Sequence, residues 1–115
     1  MDDFRYKMRA LRKALGITQE EVGAVLGISN VIVSLYERGL IDGSAYDASI
    51  SQALNEIRAE LVNRHGDWYN DYIDMRAATE EIAIRLRFDG NVPDRVIRMA
   101  KDCAVKFSEA GHGEY

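Results

Sequence analysis

A single cysteine, Cys103, leaves the chain unable to form an intramolecular disulfide or a cysteine-based zinc site. That usage fits a reducing cytoplasm. Histidine is nearly as scarce: His65 and His112 lie far apart, with no companion ligands, so no metal site is expected. Basic residues are not in excess. Fifteen Lys and Arg against nineteen Asp and Glu give a net charge of −4, so charge alone is no argument for a nucleic-acid partner. No long apolar run exists either. The longest stretch without charge, Val22 to Tyr36, holds two glycines, two serines and an asparagine. It falls short of the roughly 20 apolar residues a membrane span needs. The opening MDDFRYKMRALRKALG has no unbroken apolar segment, so no secretory signal is expected. There is no nucleophile–base motif, phosphate loop or H-E-x-x-H, which argues against an enzyme and against a bound cofactor.

What remains is a soluble globular mix, 47% hydrophobic and 30% charged, in 115 residues. That is room for one domain, or for a small motif with a helical extension. Periodicity makes it all-α. Phe4, Met8, Leu11 and Leu15 share one face of a helix from about Asp3 to Leu15, closed by Gly16. Thr18 and Glu21 have capping-box spacing at the start of a second helix, Gln19 to about Leu26. Gly27 stops it, and Ser29 can cap a third helix running to about Arg38. Neither short helix is stable alone, and the Gly27-Ile28-Ser29 joint has the length of a helix-turn-helix turn.

A fourth helix is expected from about Tyr46 to Arg64, with Tyr46, Ile50, Ala53, Leu54, Ile57 and Leu61 on its buried face. Asp67 can cap a fifth. There Trp68, Tyr72, Met75, Thr79, Ile82 and Leu86 fall alternately four and three apart, a heptad-like seam. Residues 82–90 read as the end of that helix, although their alternation and the Asp89-Gly90 pair also fit a hairpin. Asn91 is expected to cap a last helix, with Pro93 in its first turn and Val96, Ala100, Cys103 and Phe107 inward. The AGHGEY end reads as a frayed tail. Asp67, Asp71 and Asp74 read as a solvated helix face, and Arg85 with Arg87 as exposed charge.

The informative stretch is GITQEEVGAVLGISNVIVSLYERG, Gly16 to Gly39. Its Thr-Gln-Glu-Glu-Val opening, Gly27-Ile28-Ser29 turn, Val33 and terminal Tyr36-Glu37-Arg38-Gly39 resemble the XRE family of phage-repressor and Cro-type helix-turn-helix domains. With Ala53-Leu54, the resemblance covers about residues 5 to 57. It implies a repressor-like head over residues 1–64, leaving residues 65–115 as a helical extension. It also implies that double-stranded DNA is the partner, read by a recognition helix over residues 30–38. Residue by residue, it gives Gln19 a phosphate contact. Ser29, Asn30, Val31, Ser34, Leu35 and Arg38 fall at positions facing bases or backbone. Arg12 and Glu37 match a pair that in the family forms a structural salt bridge.

On chemistry alone, Asn30 could bond an adenine edge, and Val31 or Leu35 could pack on a thymine methyl. Gly23 is a small residue inside the second helix, which allows a close approach of the third. One head covers about half a turn of groove, so a palindromic operator and a homodimer are expected. Trp68, Tyr72, Met75, Ile82 and Leu86 are the candidate dimer seam. The chain departs from the family in two places. Val31, Ile32 and Leu35 make the outward face of the third helix apolar, and the following loop carries Asp42 instead of bases. Residues 1–39 hold six bases and five acids, with Arg5, Lys7, Arg9, Arg12 and Lys13 on the first helix as the offsetting positive charge. The departures leave a second reading open: a protein-binding module such as an antitoxin, an anti-repressor or an inhibitor of a bacterial enzyme.

Overall fold

The computed structural model describes residues 4–109. The expected helix start at Asp3 and the expected tail with His112 lie outside them. The described residues form six α-helices: α1 (Phe4–Ala14), α2 (Gln19–Leu26), α3 (Asn30–Glu37), α4 (Asp47–His65), α5 (Trp68–Asp89) and α6 (Asp94–Glu109). A single 3-10 turn, Gly43–Ala45, precedes α4, and no strand occurs among them. Residues 82–89 are helical, so the hairpin alternative is not realised.

Local chemistry accounts for the breaks between the first helices. The Thr18 hydroxyl accepts from the Glu21 amide at 3.1 Å, and the Glu21 carboxylate accepts from the Thr18 amide at 3.1 Å. Two otherwise orphaned donors of α2 are thereby satisfied. Gly27 ends α2 in the left-handed region at φ 70°, where a side chain would be strained. Ser29 Oγ then caps α3 by accepting from the Val31 amide at 3.0 Å.

Two expected caps are not formed. Asp67 has helical dihedrals and its side chain caps nothing, so α5 starts without that support. Asn91 stands outside α6. Pro93 lies just before the helix, and its carbonyl accepts from Val96 and Ile97. A proline at this boundary has no N–H to leave unpaired.

The head packs as its apolar spacing predicts. Met8, Leu11 and Leu15 meet Val22, Val33, Tyr36, Ile50 and Leu54 in one core. Ile73 of α5, fully buried, belongs to that same core. Its burial alone contributes about 2 to 3 kcal/mol. α5 lies along α1, and a second buried cluster of Tyr6, Ala10 and Ile84 sits between them. α6 packs back on α5, with Tyr72 against Phe107 at 6.1 Å between ring centroids.

The buried face of α5 comprises Ile73, Ala78, Glu81, Ile84 and Arg85. Trp68, Tyr72, Met75 and Ile82 are half-buried, while Leu86 is 55% exposed. The expectation of an exposed Arg85 is overturned. It is 2% exposed, and its Nε donates to Glu81 Oε2 at 2.9 Å, one helical turn away. A guanidinium can enter a core this way because its carboxylate enters with it. Nor are all the aspartates of α5 merely solvated. Asp74 pairs with Arg58 of α4 at 2.6 Å, and Asp71 with Lys106 of α6 at 3.4 Å.

Candidate nucleic-acid interface

α3 is held on one side and open on the other. Val33, Tyr36 and Glu37 face inward. The Tyr36 hydroxyl donates to Asp47 Oδ1 at 2.6 Å, tying the helix to the start of α4. Outward stand Asn30 and Val31 at its N-terminal end and Arg38 just past its C-terminal end. Ile32, Ser34 and Leu35 are half-buried. Val31, at 58% exposure, is a large apolar side chain left in solvent.

The turn before α3 is tight for a stated reason. A Cβ built on Gly23 would lie 2.6 Å from the Ile28 carbonyl oxygen and 3.3 Å from the Asn30 amide. The backbone entering α3 therefore crosses α2 directly over Gly23. The roughly 1 kcal/mol of helix propensity lost to glycine at this position is the cost of that approach.

The base of α3 is fixed by charge. Glu37 is 3% exposed. Its carboxylate accepts from Arg12 twice, Nε at 2.6 Å and Nη2 at 3.0 Å, and from Gln19 Nε2 at 2.9 Å. Arg9 Nε lies 3.6 Å away. Arg12 also donates to the Ile17 carbonyl at 2.9 Å. The forked geometry matches guanidinium to carboxylate and clamps α1 to α3. Gln19 has its side-chain amide turned into this cluster, while its backbone remains at the open end of α2.

These bonds change the electrostatics expected of α1. Arg9 and Arg12 are only 14% and 11% exposed, and burial lowers the Arg9 pKa despite the nearby Glu37 charge. Arg5 donates to the Glu37 carbonyl at 3.0 Å. Two of the five α1 bases, Arg9 and Arg12, are therefore turned onto one internal acid, while half-buried Arg5 bonds a neutral carbonyl. Lys7 and Arg38 are exposed and Lys13 is half-buried, against exposed Glu20, Glu21 and Asp42. Asp42 is held below the usual carboxylate range by the Ser44 amide and hydroxyl, so it keeps its negative charge.

Among the other candidates, His65 stacks on Tyr69 at 4.5 Å. Burial pushes the half-buried Cys103 thiol up, helped by Asp74 and Asp102. No group of side chains suited to a metal ion occurs among the described residues. No described helix is long and apolar enough to cross a membrane.

Sequence reasoning missed Arg5 and Tyr6 as supports of α3. The available signal was Gly39. A Cβ there would stand 2.7 Å from Arg5 Cζ, and the residue sits at φ 71°.

Residues 8–43 match the family model described as helix-turn-helix. The match runs from the middle of α1 to the loop after α3, roughly a third of the chain. No curated protein and no solved structure gives a match.

Proposed function

We propose that the protein is a sequence-specific transcription regulator of the XRE type that reads a palindromic operator as a homodimer, with the helix-turn-helix matched over residues 8–43 as its DNA-binding module. The observation that carries the reading is the pose of α3. Its inner face and base are locked by Tyr36 and Glu37, and Asn30, Val31 and Arg38 are exposed. A helix so held fits the major groove of B-DNA, with its N-terminal residues on base edges. Asn30 suits an adenine edge and Val31 a thymine methyl. Arg38 and the N-terminal end of α2 at Gln19 lie where phosphates would run.

The regulator acts in the cytoplasm by occupying a promoter, as a repressor of phage or mobile-element type. It binds and does not catalyse. Two heads about 34 Å apart on one face of the duplex give it specificity. Their pairing uses the part of the α5 stripe left accessible, with Leu86 the most exposed of the seam.

The internal commitment of Arg9 and Arg12 implies few phosphate contacts and hence a shallow salt dependence, about three to six phosphates per dimer. Titration of a selected operator at several salt concentrations checks this. Asn30→Ala should cost about 1 to 3 kcal/mol at the base pair it reads and relax choice there. Equal weakening on every sequence would remove Asn30 from base reading.

The same commitment, together with the exposed Val31, favours one second reading. In it the apolar face Val31, Ile32 and Leu35 docks a protein, as in an antitoxin, an anti-repressor or an enzyme inhibitor. Absence of DNA binding at low salt would select it. Leu35→Glu would then abolish capture of the partner.

A further inference from the structure

The C-terminal ends of α3 and α5, far apart in sequence, are joined through α1. Asp89 is the last residue of α5, and its Oδ1 accepts from the Tyr6 hydroxyl at 2.7 Å. That hydroxyl in turn accepts from Arg5 Nη2 at 3.2 Å. Arg5 Nη1 donates to the Glu37 carbonyl, the last residue of α3, at 3.0 Å. The guanidinium is held over the Tyr6 ring, 4.3 Å from its centroid. It occupies the space that a side chain at position 39 would fill.

A parallel route ends on the same residue. Phe88 lies 5.2 Å from the Arg9 guanidinium, which faces the Glu37 carboxylate at 3.6 Å. Both routes start in the last turn of α5 and finish at the last turn of α3. The Ser34, Leu35 and Tyr36 carbonyls there accept from the Arg38, Leu40 and Gly39 amides, and the Glu37 carbonyl takes the guanidinium donor, which fixes where the chain leaves the helix.

We infer that the C-terminal turn of α5, through the Asp89–Tyr6–Arg5 relay, positions the C-terminal end of the recognition helix and with it Arg38. Asp89, Tyr6 and Arg5 are positioning residues. Any load on the α5–α6 hairpin is therefore felt at the reading surface, which makes the C-terminal helices part of the reading device and more than an appendage. The consequence for DNA rests on the function proposed above; the relay itself does not.

The test uses the full chain with two variants, Asp89→Ala and Tyr6→Phe. Asp89 is exposed, so its removal leaves the core intact. Asp74→Ala is the control, because it breaks a different α5 tie, to Arg58 of α4. Hydrogen exchange is followed at the amides of Arg38, Gly39 and Leu40, which close the end of α3 on Ser34, Tyr36 and Leu35. The relay predicts exchange at these three amides accelerated about fivefold in both variants, the yield of one lost hydrogen bond, with α2 unchanged. The control leaves them as in the wild type. Uniform acceleration along the chain, or none at these amides, overturns the inference. On a selected operator both variants lose about fivefold in affinity, and sequence-blind binding falls with it, because Arg38 is placed on the phosphate backbone. If the wild type holds no DNA, the proposed function falls, and the exchange measurement still decides the relay.

Discussion

Replacing Glu37 by glutamine probes the joint on which the pose of α3 depends. Glu37→Gln keeps shape and volume but removes the charge that Arg12 and Arg9 share. It also sets an amide N–H where the carboxylate accepts from Arg12 at 2.6 and 3.0 Å and from Gln19 at 2.9 Å. At least one donor is left facing a donor. Breaking a buried ion pair from one side costs about 3 to 5 kcal/mol. The two arginines keep 11% and 14% of their surface, so water softens the loss and about 3 kcal/mol is expected. Against a total stability of about 5 to 15 kcal/mol for a domain, that is a large fraction. Urea unfolding followed by far-ultraviolet circular dichroism measures it, with the midpoint falling and the slope unchanged. Arg12→Met combined with Glu37→Met should lose less than the sum of the single changes, because no charge of that pair is stranded. A loss under about 1 kcal/mol for Glu37→Gln would refute the reasoning, since the cluster would then behave as an exposed pair.

Three further outcomes follow from named contacts. Gly23→Leu should destabilise by about 3 kcal/mol in the same urea assay, because its side chain has to displace the Ile28 carbonyl that already sits 2.6 Å from a Cβ; tolerance within experimental error would contradict that close approach. Thr18→Ala should cost about 1 kcal/mol, whereas Asp67→Ala should stay within about 0.5 kcal/mol, since only Thr18 makes its cap bonds; equal losses would refute the distinction. The Tyr6 pKa is raised above its ordinary value of 10.0, first by burial and then by its bond to Asp89. The stability it contributes is full below pH 10.0 and declines as pH rises through the higher folded value. Tyr6→Phe should therefore show a smaller alkaline loss of stability than the wild type, and identical profiles would argue that Tyr6 ionises as if exposed.

How much of this was readable beforehand depends on the range of the interaction. The α2–turn–α3 unit is local: the Thr18–Glu21 box, the Gly27 stop and the Ser29 cap each act over a few residues, and each stands where its spacing puts it. The Arg12–Glu37 clamp spans 25 positions and was expected only through the family resemblance; the structure forms it. The α1–α5 contact was not legible. Apolar periodicity finds one stripe on α1, Phe4 to Leu15, but the helix is covered on a second side through Tyr6 and Ala10. On α5, hydropathy favours Trp68 to Leu86 because it counts Glu81 and Arg85 as solvent-facing. Once those two enter the core as a pair, the buried face rotates to Ile73, Ala78 and Ile84. The charge count on α1 is blind in the same way: it does not show that Arg9 and Arg12 are turned onto Glu37.

The measurement closest to the central claim is a selection from fragmented DNA of the source, at about 100 mM salt, with the full chain as bait and the retained fragments sequenced. Reading by α3 predicts enrichment of a palindrome whose half-sites lie about one helical turn apart, and Asn30→Ala should blur one position in each half-site. Retention without sequence preference, or no retention at all, would contradict it.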